Sequence, residues 1–101
     1  MILYNVTVKI DQNVEEEWFA WMKGVHIPEI LETGFFVEHK ICKIVFPVDD
    51  DGGSTYAIQY FCNTMDDLNA YQSKFAKDLQ AKHKQRYNNR YVAIRTLMEV
   101  L

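Results

Sequence analysis

Asn5, Gln59 and Arg95 are polar side chains set inside stretches that otherwise alternate like β-strands. Polar groups in the middle of neighbouring strands can converge on one volume. An arginine with two amides suits a carboxylate or another oxygen-rich ligand, the guanidinium gripping two oxygens at once. The same three residues also suit bonds to one another or across a dimer, with Arg95 paired to Glu99 or Glu38. His26 stands just before Pro28 and Glu29. Beside a cavity an imidazole gives or takes a proton near neutral pH, while at a helix end it caps carbonyls. Asn5, His26, Gln59 and Arg95 are therefore the candidate ligand-binding set.

Other residues offer less. His39 and His83 are expected in solvent, and the three histidines lack the spacing of metal ligands, so no metal site is expected. No serine, threonine or cysteine stands beside a plausible base, so no catalytic residue is assigned and no cofactor is called for. Ser54 and Thr55 follow Gly52-Gly53 but lead into a strand rather than a helix, which argues against a phosphate loop. Trp18 and Trp21 could stack on a flat ligand, but their helical spacing makes them core first.

The elements that would position these residues follow from periodicity. Residues 2–10 alternate, with Ile2, Tyr4, Val6, Val8 and Ile10 on one side and Leu3, Asn5, Thr7 and Lys9 on the other. Asn13 followed by Glu16 suggests a helix cap, and Glu15, Glu16 and Glu17 complement the helix dipole in the first turn. Val14, Trp18, Trp21, Met22 and Val25 form an apolar stripe. Pro28 should bend or end that helix near His26 and open a second short one, with Gly34 closing it. A strand is expected over residues 35–48, a hairpin loop over Asp49–Ser54, and a strand over 55–62. Thr64 with Asp67 suggests the next cap. The following helix carries Leu68, Tyr71, Phe75 and Leu79 on one face, with Lys82, His83, Lys84 and Arg86 near its negative end. Asn88-Asn89 turns the chain into a last strand over 90–100.

This order, β-α-β-β-α-β, folds by right-handed crossovers into a ferredoxin-like α+β domain spanning residues 1–101. Its sheet has four antiparallel strands, with the first and third in the middle and both helices on one face. The length suits one domain. Nearly half the residues are hydrophobic (49%), too many for a disordered chain. A net charge of -3 gives no basic field for nucleic acid. No apolar run approaches the roughly 20 residues needed to span a bilayer, and the start of the chain alternates like a strand rather than a signal peptide. Without a CxxC motif, Cys42 and Cys62 are expected as free buried thiols in a reducing cytoplasm.

The face of the sheet away from the helices is expected to carry Leu3, Asn5, Thr7, Ala57, Gln59 and Phe61, together with Tyr91, Ala93, Arg95 and Leu97. The last strand is phased this way because Arg95 would otherwise lie under the helices without a partner. So apolar a face calls for cover, and a two-fold dimer with sheet against sheet is the simplest closed solution. The topology resembles the dimeric α+β barrels, a superfamily that includes small monooxygenases and isomerases. More closely, the segments MILYNVTVKID, VEEEWFAWMKGVHIPEILETGFF, STYAIQYF and RYVAIRTLMEVL resemble the bacterial domain-of-unknown-function family 4286. That resemblance implies the fold and a homodimer, and carries no activity or catalytic residues with it. The expected function is a small-molecule binding module, with its pocket between sheet and helices or in the dimer barrel. The alternatives are a cofactor-free enzyme, monooxygenase- or isomerase-like, using His26 with Asn5, Gln59 and Arg95, and a dimer with a purely structural role.

Overall fold

A computed structural model describes residues 1–48 and 51–101. The four strands are β1 (Ile2–Ile10), β2 (Glu38–Lys43), β3 (Ser54–Cys62) and β4 (Tyr91–Glu99). They form one antiparallel sheet in the order β2-β3-β1-β4. Two helical rods pack on one face. The first runs α1 (Glu15–Trp21), a π-helical turn (Met22–His26) and α2 (Ile27–Glu32). The second runs α3 (Met65–Tyr71), a π-helical turn (Gln72–Ala76) and α4 (Lys77–Arg86). The ferredoxin-like expectation therefore holds. Among the described residues no helix is long and apolar enough to cross a membrane.

The core lies between sheet and helices. The alternation of β1 and β3 puts Tyr4, Val8, Ile10, Tyr56, Ile58, Tyr60 and Cys62 on its floor, and Trp18, Met22, Ile27, Ile30, Leu68, Tyr71 and Leu79 cover them. Each fully buried large apolar side chain contributes about 1.5–3 kcal/mol of transfer free energy. Thr64 caps α3, its hydroxyl accepting from the Asp67 amide at 3.1 Å. Gly34 ends the first rod at φ 85°, a left-handed geometry in which a side chain is strained.

Several local expectations change. Asn13 does not cap α1. Its amide is taken by the Asp11 carboxylate at 2.8 Å, which makes a turn one step earlier and leaves Val14 at the cap position with no side-chain bond. β2 is shorter than residues 35–48. Its pairing with β3 runs on only through the Val37 and Ile44 amides, and Pro47 has no amide to continue it. Of the expected loop, Asp49 and Asp50 lie outside the described residues, while Asp51 pairs with Lys9. Cys42 is exposed rather than buried, because β2 is an edge strand and Cys42 sits opposite Ala57 on the face the helices do not cover. Cys62 is buried, and both thiols are free.

The first rod does not stop at His26. The Ile27 amide bonds the Met22 carbonyl five residues back, and the helix continues to Glu32. Pro28 has no N–H to offer the Gly24 carbonyl, and its ring would crowd that carbonyl in a regular α-helix. The widened turn just before it relieves both problems.

The phase of β4 is the largest correction. Val6 pairs with Ile58 on one side and with Arg95 on the other, so Arg95 faces the helices. Tyr91, Ala93 and Leu97 share that face. Val92, Ile94, Thr96 and Met98 take the open one, beside Leu3, Asn5, Thr7, Gln59 and Phe61. Burial of Arg95, the reason for the opposite phase, does not arise. The rods leave the far end of β4 uncovered, and Arg95 is exposed.

Candidate functional site

The π turn of the first rod carries His26, and the last turns of α4 carry His83. Their rings lie 5.6 Å apart, in an aromatic layer between helices and sheet. His26 stacks on Trp21, with centroids 4.7 Å apart and planes 18° from parallel. His83 meets Tyr91 edge-on at 4.3 Å. Both histidines are buried, with 6% and 7% of their surface exposed. The Trp18 indole N–H donates to His83 Nε2 at 2.9 Å. Tryptophan can only donate, so Nε2 is the acceptor and neutral His83 carries its proton on Nδ1. His26 Nδ1 is buried and has no hydrogen-bond partner.

Burial pushes the His26 pKa down to about 4. Glu29 opposes that shift, and Lys82 and Arg95 reinforce it. Burial likewise holds His83 at about 4, helped by His26 and Arg95. Both imidazoles are therefore neutral around pH 7.

The two rings border a cavity of about 40 Å³, room for roughly two or three water molecules. Val6, Val8, Ile58 and Ala93 supply its floor from the sheet, and Met22, Ile30 and Leu79 its roof from the helices. Its polar lining is His26, His83, Gln80, Arg95 and the tyrosines at 4, 60 and 71. Burial raises the Tyr60 and Tyr71 hydroxyls well above the ordinary phenol value, so both stay protonated. Arg95, exposed on β4, is the lining residue that also meets solvent. No carboxylate lies within ion-pair distance of it among the described residues, neither Glu99 nor Glu38 included.

The sheet thus divides the four expected ligand residues into two pairs. His26 and Arg95 line the cavity on the helix side. Asn5 and Gln59 sit directly opposite each other on the open face. There Asn5 donates to the Thr7 hydroxyl at 2.9 Å, and its Oδ1 is buried without a partner. His39 is exposed, as expected. His83 is not. It continues the four-residue spacing of Leu79, a signal outweighed by the basic cluster around it. Trp18 is core, and Trp21 is half-buried against His26. Tyr4, Tyr60, Tyr71 and Gln80 complete the lining. The three tyrosines are apolar-face residues by spacing, and spacing alone does not show that their rings surround a void.

A second polar cluster joins sheet to helix. The Glu15 carboxylate accepts from the Tyr56 hydroxyl at 2.6 Å and from Ser54 at 2.9 Å, with Lys43 at 3.6 Å. The Tyr56 bond does most to lower the Glu15 pKa, and burial together with that carboxylate raises Tyr56 to about 12. Every member of the cluster has a partner, so it locks α1 to β3.

Solved structures share this architecture at low sequence identity. HapK of Hahella chejuensis matches with a TM-score of 0.72 at 11% identity, over 100% of this chain and 93% of that one. An EthD-family protein of Bacillus halodurans matches at 0.68 and 11% identity, over the whole of both chains. A dimeric ferredoxin-like protein from an uncultured marine organism matches at 0.67 and 11%, covering 100% and 95%. No curated protein sequence matches the chain. The model of one sequence family, the domain of unknown function DUF4286, matches residues 1–101 from end to end, and the chain belongs to that family.

Proposed function

We propose that this protein is a homodimeric binding module that holds a small organic molecule in the cavity between sheet and helices. One observation carries the reading. His26 lines a cavity with further polar groups, and its Nδ1 is buried without a partner. An unmet buried polar atom costs about 1–3 kcal/mol. A ligand atom that bonds it recovers that cost. The cavity is far smaller than the several hundred Å³ usual for drug-sized ligands. Its occupant is therefore a small molecule, or the narrow end of a larger one that leaves past Arg95.

The dimer rests on the other face. Val92 and Ile94 are 63% and 64% exposed in the single chain, Met98 lies beside them, and Leu3 and Phe61 continue the patch. A second copy would cover these residues. The dimeric description of one structural neighbour supports the same assembly. Two free thiols suit a reducing cytoplasm.

The adjacent neutral imidazoles favour a second reading, a cofactor-free enzyme in which His26 takes a proton from a bound substrate. Asn5 and Gln59 have no part in it, being on the far side of the sheet.

A melting screen against small organic molecules, run with sedimentation, tests the first reading. Hits should stabilise a dimer. Ala93→Phe, which fills the cavity, should abolish the shifts and leave the dimer intact. A screen without hits, or hits that persist in Ala93→Phe, would place the function elsewhere.

A further inference from the structure

The polar lining of the cavity is biased toward one kind of ligand. Among the described residues Arg95 is its only charged one, and no aspartate or glutamate contributes to the wall. The nearest acid that His26 feels is Glu29, whose charge is already held by Lys82 at 2.7 Å. Besides Arg95, the polar lining comprises the tyrosines, Gln80, His26 and His83, the last with its proton set on Nδ1 by the Trp18 bond. Hydroxyl and amide groups both donate and accept and so serve either kind of ligand, whereas the single charged group of the lining is a cation and favours an anion.

We infer that the cavity takes a small carboxylic acid as its anion, its oxygens between the Arg95 guanidinium and the His26 ring and its hydrocarbon end among Met22, Ile30 and Leu79. This rests on the binding-module reading. A carboxylate is acceptor-only and matches the two-pronged geometry of arginine. Buried away from water it needs a cation beside it, and Arg95 is one without a carboxylate partner among the described residues.

Proton uptake should accompany binding. His26 is faced by Glu29 from α2, by Lys82 and His83 from α4, and by Arg95 from β4. In the free protein burial keeps it neutral. A bound carboxylate offsets the repulsion from Arg95 and adds an attraction, so the complex accepts a proton that the free protein refuses.

Acetate and benzoate, paired with the uncharged acetamide and benzamide, are the probes. Calorimetry at pH 6 and 7.5, in two buffers of different ionisation heat, reads affinity and proton uptake together. At least one acid should bind about tenfold or more tighter than its amide. Arg95→Ala, a change at an exposed position, should remove that preference, bringing acid binding down to that of the amide. His26→Gln should remove the proton uptake. Amides that bind as well as the acids, or acid binding indifferent to Arg95→Ala, would overturn the carboxylate assignment and leave the binding module standing. The carboxylate assignment alone also falls if no probe binds while the library screen yields hits. If the screen is empty as well, both fall.

Discussion

Acidification from pH 7 to pH 5 should destabilise this protein mainly through His26 and His83. Both are held near pKa 4 in the folded chain, against an ordinary 6.5. Between those values the unfolded chain binds protons that the folded chain excludes. Stability therefore rises with pH through this window and is lost as pH falls below about 6.5. With these pKa values the linkage relation gives a loss of about 2 kcal/mol per histidine between pH 7 and pH 5, so about 4 kcal/mol for the pair. That is a large part of the 5–15 kcal/mol that holds a typical domain folded. Asp11, Glu15 and Asp51, whose carboxyls are lowered by hydrogen bonds, act in the same direction but mainly below pH 5. Urea unfolding at fixed protein concentration, at pH 7, 6 and 5, measures the drop. His26→Leu and His83→Gln should each remove about half of it. The glutamine keeps an acceptor for the Trp18 indole, and the leucine removes an unmet nitrogen. A loss below about 1 kcal/mol in the wild type would mean that the rings are solvated, because burial on this scale cannot leave so small a linkage.

Three further outcomes are expected. Ile94→Glu, in the middle of the open face, should convert the dimer to folded monomers in sedimentation, and an unchanged dimer would move the interface elsewhere. Thr64→Ala should cost about 1 kcal/mol in urea unfolding by leaving the Asp67 amide without its cap. Tyr56→Phe should cost about 1.5–3 kcal/mol, since it deletes a hydrogen bond to a carboxylate. It should also return the Glu15 carboxyl toward its ordinary value, which an NMR titration would follow.

The strands that could be read correctly were those with one unambiguous face. In β1 and β3 the even-numbered positions are almost all large and apolar, and they form the floor of the core. β4 lacks that contrast. Tyr91, Ala93 and Leu97 are no less apolar than Val92, Ile94 and Met98, so alternation cannot set its phase. Only pairing with β1 decides, by setting Arg95 against Val6. An exposed sheet end then removes the penalty that made an arginine look out of place beneath helices. The apolar open face survives the exchange, because either half of β4 would make it so.

The helices failed for a different reason, and in the first rod the failure falls at the cavity. An apolar stripe extrapolated at 3.6 residues per turn places Val25 and Phe75 inside. In the fold they are 44% and 39% exposed, while His26 and Ala76 are buried. Each lies in a π turn, where one extra residue rotates everything beyond it by roughly 100° relative to a regular helix. Pro28 gives the first of these turns a local cause, but composition does not reveal that a histidine rather than a valine will swing inward. At the first turn the residue that swings inward, His26, borders the cavity, whereas at the second Ala76 packs into the core. Burying an imidazole with one nitrogen unmet costs about 1–3 kcal/mol that the neighbouring valine in that place would not, and this is the cost that the proposed ligand would recover.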